Sequence, residues 1–120
     1  MAYQSQLETI QVTIPSGQSL SGAAALEGKA LVAVITPAAW TAAALTFLKS
    51  ADGGSFYPVF DQGAEVSVSS GLIPTAEARW FDLDPAGWLN ASHLKVRSGT
   101  NAAAVNQGAD RALTLVVRPI

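Results

Sequence analysis

Near its N-terminus the chain alternates with a period of two, Ile10, Val12 and Ile14 against Thr9, Gln11 and Thr13, and Pro15-Ser16-Gly17 closes the pattern. This is the signature of a strand with one buried face. A weaker alternation over residues 19–26 ends at Glu27-Gly28, a tight-turn pair, and the unbroken apolar run over residues 30–35 predicts a central strand covered on both faces. Leu45 and Phe47 then alternate about Thr46 as far as Ala51-Asp52-Gly53-Gly54. Those residues supply the positive φ angles of a hairpin, so the chain should return through residues 56–60. Asp61-Gln62-Gly63 turns it again into residues 64–69, where Val66 and Val68 alternate with Glu65, Ser67 and Ser69. Residues 71–75 read as a loop and residues 80–83 as a strand. Leu94 and Val96 face inward against Lys95 and Arg97, residues 98–108 form a long loop of small and polar residues, and the last strand places Leu113, Leu115 and Val117 on one face. Eight or nine short strands with little helix predict an all-β sandwich or barrel.

Two stretches repeat one pattern. Thr36-Pro37-Ala38-Ala39-Trp40 and Asp84-Pro85-Ala86-Gly87-Trp88 each follow one strand and precede another. In both, a Thr or Asp stands where its side chain accepts from free backbone N–H groups, the Pro suits a first helical position, and the Trp closes the turn. Such corners carry a chain between layers. Two of them favour a two-sheet antiparallel, jelly-roll-like sandwich over an up-and-down barrel, with an immunoglobulin-like sandwich as the alternative.

With 120 residues the chain makes one domain, assigned to residues 7–120 behind a flexible N-terminal arm over residues 1–6. Cysteine is absent, which removes disulfides, thiolate zinc sites and cysteine nucleophiles. Seven basic and nine acidic residues give a net charge of -2 without runs, so no phosphate-binding face is indicated and nucleic acid is not an expected partner. The polar start lacks the basic-then-apolar order of a signal peptide, and no apolar run reaches the length of a membrane span, so no membrane partner is expected. Charged residues make up only 13 % of the chain, against about 25 % in ordinary soluble domains. A surface so poor in charge suits a subunit of an assembly.

No residue set amounts to an active site, and no catalytic, metal or cofactor-binding residue is assigned. His93, the single histidine, begins a strand that alternates normally, and no G-x-S-x-G elbow accompanies it. Asp82, Asp84 and Asp61 offer oxygen ligands for calcium, but Asp84 stands where Thr36 stands in the other corner and is explained as a cap. Trp40 and Trp88 read as core plugs because they recur at equivalent corners, which leaves Trp80 for contact with a partner. Ser50-Ala51-Asp52-Gly53-Gly54-Ser55-Phe56-Tyr57 resembles the Asp-box hairpin S-x-D-x-G-x-x-W of sialidase propeller blades and other β proteins, with Tyr57 in place of the Trp. That motif is a structural turn, with Ser and Asp satisfying the loop backbone and the aromatic packed beneath.

Taken together, Ile35-Thr36-Pro37-Ala38-Ala39-Trp40-Thr41, the stretch from Leu45-Thr46-Phe47 through Ser50-Ala51-Asp52-Gly53-Gly54-Ser55-Phe56, and Leu94-Lys95-Val96-Arg97-Ser98-Gly99-Thr100 carry a resemblance. Their order is similar to small β-sandwich proteins from the virion gene clusters of tailed bacteriophages. The resemblance implies a non-enzymatic structural role in the virion, assembled in the host cytoplasm: a capsid decoration or cement subunit, or the base of a head or tail appendage. It implies the major capsid protein or another virion protein as partner, and homo-oligomers, with trimers the natural expectation at threefold positions of a shell. Tyr3, Trp80 and Ile120 are the candidate interface residues. The alternative from another class is a carbohydrate-binding module of a fibre or surface protein, using Trp80, Tyr57 and the loop over residues 98–108.

Overall fold

A computed structural model describes residues 6–120. In chain order the elements are β1 (Glu8–Ile14), β2 (Ala24–Ala25), β3 (Lys29–Ile35), β4 (Leu45–Ser50), β5 (Tyr57–Pro58), β6 (Phe60–Asp61), β7 (Ala64–Glu65), β8 (Ser67–Val68), a 3-10 turn at Ser70–Leu72, β9 (Trp80–Asp82), a second 3-10 turn at Pro85–Trp88, β10 (His93–Ser98) and β11 (Arg111–Pro119). One sheet has the order β1-β11-β3-β9; the other has β2-β10-β4-β5, with β8 also on β4. All these pairings are antiparallel. Successive principal strands alternate between the sheets, and the first strand pairs with the last, which is jelly-roll wiring; an immunoglobulin-like fold would pair the first strand with the second. The stretch over residues 57–68, expected as two strands, breaks into four two-residue pieces. Pro58 lacks a ladder donor there, and Gln62 and Gly63 at φ 52° and 84° fold β6 onto β7 as a separate hairpin.

The inward faces are those the alternation marks. Val12, Ile14, Leu113, Leu115 and Val117 from one sheet meet Leu45, Phe47, Leu94 and Val96 from the other in one core. β3 is buried beyond simple alternation, as its apolar run predicts: a register shift between Val116 and Val117 puts an extra residue into it, and Ala33 paired with Val116 is buried outside that core cluster.

Both repeated corners cross from the first sheet to the second, β3 to β4 and β9 to β10. Because β3 and β9 are antiparallel, the corners lie at opposite ends of the sandwich. Trp40 and Trp88 are each 3 % exposed and plug those ends. The caps differ. Asp84 accepts from the Ala86 N–H at 3.0 Å above a 3-10 turn begun by Pro85. Thr36, expected to do the same, instead accepts from the Arg79 N–H at 3.1 Å and donates to the Arg79 carbonyl at 3.3 Å, and no helical turn follows. The chain entering β9 offers a neighbouring donor and acceptor, so Thr36 ties the corner to that strand.

The turn after β4 satisfies itself. Ser50 Oγ accepts from the N–H groups of Asp52 and Gly53, and Asp52 Oδ1 accepts from Gly54 N–H at 2.8 Å, Ser55 N–H at 3.0 Å and the Ser50 hydroxyl at 3.0 Å. Gly53 sits at φ 82°, and a Cβ there would fall 2.9 Å from His93 Cε1, which places the histidine against the turn. Tyr57 departs from the Asp-box expectation: it is 66 % exposed and does not pack beneath the loop. The backbone donors of Ser55 and Gly54, then the Ser50 hydroxyl, hold the Asp52 carboxyl below the usual carboxylate range. A carboxyl depressed in the folded state contributes stability above its unfolded pKa and loses it as pH falls through the folded value. The stability gap between the parent protein and Asp52→Asn should therefore be widest near neutrality and close in acid. Parallel stability curves over that range would show that the turn draws nothing from the charge.

Candidate functional site

The two ends of the sandwich are built differently. At the Trp40 end the loop after β10 is packed down rather than free. Gly99 N–H donates to the Ala44 carbonyl at 2.7 Å, and at φ 93° a Cβ on residue 99 would stand 2.5 Å from the Ala103 oxygen, so only glycine fits. Gln107, 1 % exposed, closes the end: its Oε1 accepts from Thr41 N–H and Arg111 Nε, and its Nε2 donates to the Thr41 carbonyl and Ser98 Oγ.

The Trp88 end is open. Lys49 keeps the inward parity of Leu45 and Phe47 on β4 but lies where the strand leaves the core. Its Nζ sits 4.9 Å above the Trp88 ring and donates to the Gly87 carbonyl and to Asn90 Oδ1. Burial pushes this amine below the usual lysine range, and the nearby Asp61 carboxylate acts against that. Between this corner and the β6–β7 hairpin lies a cleft of about 390 Å³ with Trp88, Val59 and Val66 among its walls and Lys49, Asp61, Asp84 and Asn90 as its polar groups. A groove of about 310 Å³ that shares Lys49, Val59, Phe60 and Asn90 runs on past Tyr57 and Pro58.

Exposed apolar side chains collect at the same end. β1 begins and β11 finishes there, since Glu8 pairs with Val117 and Lys29 with Pro119. Of the seven large hydrophobics exposed among the described residues, Leu7, Tyr57, Leu89 and Ile120 belong to this end, Phe60 lines its cleft from the β6–β7 hairpin, and Leu72 and Trp80 lie toward the other end. Phe60 is 52 %, Leu89 55 % and Ile120 70 % exposed.

The residues expected at an interface are thus divided. Tyr3 lies outside the described residues, as does nearly all of the arm assigned to residues 1–6. Ile120 stands at the open end, its N–H donating to the Gly28 carbonyl at 3.2 Å. Trp80 is 51 % exposed, on the outward face of the first sheet beside Ile35, where its indole donates to Asp82 Oδ1 at 2.8 Å. Trp80 and Ile120 do not share one surface. Nor do the parts of the expected sugar platform, because Tyr57 is at the open end, the loop over residues 98–108 at the closed end and Trp80 on a sheet face. Asp61 and Asp84 line the cleft while Asp82 turns outward to Trp80, and no group of three His, Cys, Asp or Glu able to hold a metal ion is found among the described residues. Lys49 and Leu89 went unmarked in the sequence. The one available signal was a charge at an inward position, Lys49 after Leu45 and Phe47, which marks where β4 leaves the core. No protein-family model and no curated protein matches this chain.

Proposed function

We propose that the protein is a structural subunit of a tailed-phage particle, a capsid decoration or cement protein or the base of an appendage, and that its open end seats on the major capsid protein or another virion protein. The observation that carries this reading is the collection of exposed apolar side chains at one end of the sandwich while the other end is closed by its own hydrogen bonds. On a surface with only 13 % charged residues in the chain, such an end is an adhesive one. Many copies, each adding a modest interface, stabilise a shell through their sum.

The test is sedimentation with particles assembled without the protein. Wild-type chain should pellet with them, and the double variant Phe60→Ser, Leu89→Ser should bind at least about tenfold more weakly at unchanged melting temperature, as for truncated interface anchors. Wild-type protein that stays in solution sinks the virion reading. Equal binding of the variant moves the contact away from this end.

A second reading, glycan binding, is favoured by the groove itself, where exposed Tyr57 and Phe60 flank Asp61 and Asn90. Rings beside paired polar groups suit a sugar's apolar face and hydroxyls. Binding of soluble oligosaccharides by the isolated monomer would bring that reading forward.

A further inference from the structure

Among the described residues the two main sheets have four edges, β1 and β9 in one, and β2 and the side of β4 shared by β5 and β8 in the other. Three are blunted in the ordinary ways. β9 has three residues, β2 two, and β5 and β8 two each, with Pro58 in β5. β1 has none of these devices. It runs for seven residues without Pro, Gly or Lys, pairs with β11 over seven consecutive positions without a bulge, and carries one charge, Glu8, already engaged by Lys29 at 3.1 Å. One side of β1 is taken by β11, and the sheet order puts no strand on the other among the described residues. Alternate residues of an edge strand direct their N–H and C=O groups away from the sheet, so β1 presents a row of unused ladder groups.

We infer that β1 pairs antiparallel with β1 of a second copy of this chain, joining the two four-stranded sheets into one across a two-fold axis. The sequence of the strand selects this occupant because its inner five residues, Thr9-Ile10-Gln11-Val12-Thr13, are self-complementary about Gln11, while at each end Glu8 of one copy stands opposite Ile14 of the other. Centred there, Ile10 of one copy meets Val12 of the other, Thr9 meets Thr13, and Gln11 meets Gln11. A two-fold axis perpendicular to the sheet keeps inward residues inward, so the Ile10–Val12 pairs extend the core layer and the Thr and Gln pairs lie outside. Among registers that preserve the faces, only this centre uses the whole strand. The inference goes beyond the particle reading and does not depend on it, and it replaces the threefold clustering expected from the resemblance with a two-fold pair.

Sedimentation equilibrium of the full chain should show the mass rising from 12.4 kDa toward twice that value as concentration increases. Amide exchange should slow at alternate positions within residues 8–14 over the same range. Gln11 is exposed, so charging it spares the fold, but like charges then face each other across the axis. Gln11→Lys and Gln11→Glu should each raise the dissociation constant at least about tenfold, and an equimolar mixture of the two should regain association. A chain that stays monomeric at every concentration overturns the inference, as does a Gln11→Lys variant that associates like the parent. Protection of β1 only in the presence of another protein also overturns it, by giving the edge to a different strand.

Discussion

Trp88→Ala should lower the unfolding free energy by about 3–5 kcal/mol, the usual cost of removing a buried Trp side chain. The ring is 3 % exposed, meets Phe47 edge to face with centroids 5.2 Å apart, and lies under the Lys49 amine. Phe47 itself is fully buried, so the space left would open beneath the central strand of the second sheet, where little can move in to fill it. Against a total of about 5–15 kcal/mol for an ordinary domain, one substitution would take a large share. Chemical denaturation followed by circular dichroism reads the loss directly. Any binding lost in this variant should return in proportion to the folded fraction. A stably folded Trp88→Ala protein that has lost binding alone would mean that the indole is a contact residue and not a plug.

The fold could be read in the sequence wherever a residue's neighbours along the chain decide its environment. Alternation in β1 and β11 marked the buried faces, and the Thr-Pro and Asp-Pro corners marked the crossings between sheets. Reading failed where distant chain decides. Thr36 has the sequence of a cap, yet the strand arriving at Arg79 presents a better donor and acceptor than its own turn does. Tyr57 has the position of a packed Asp-box aromatic, yet His93 already lies against Gly53 beneath that turn. The loop after β10 reads correctly as long, small and polar, but nothing along its own sequence shows that Gln107 finds four partners on Thr41, Ser98 and Arg111 and holds it down. The open end was the least legible feature, because Leu7, Leu89 and Ile120 lie far apart in sequence and meet one end only through the wiring of the sheets.

The same dependence on distant chain predicts the second large effect. Arg97 and Glu65 form a 2.6 Å ion pair with side chains only 10 % and 14 % exposed. Arg97 Nε donates to Thr46 Oγ1, whose hydroxyl donates to the Gly99 carbonyl, while Glu65 accepts from the Asn101 N–H at 3.0 Å. One pair therefore fastens the β6–β7 hairpin and the loop after β10 to the outward side of the second sheet. Desolvating both charges offsets much of their attraction, so the pair's net contribution is small, whereas removing one partner strands the other. Glu65→Leu should cost about 3–5 kcal/mol, with Arg97 left as a nearly buried cation without its counter-ion. The double variant Glu65→Leu, Arg97→Met should cost far less than the sum of the single losses, because no charge then remains to be satisfied. Denaturation of the four proteins closes the cycle. Additive losses would show that the hairpin and the loop are held by their backbone contacts alone, in which case the walls of the cleft owe nothing to this pair.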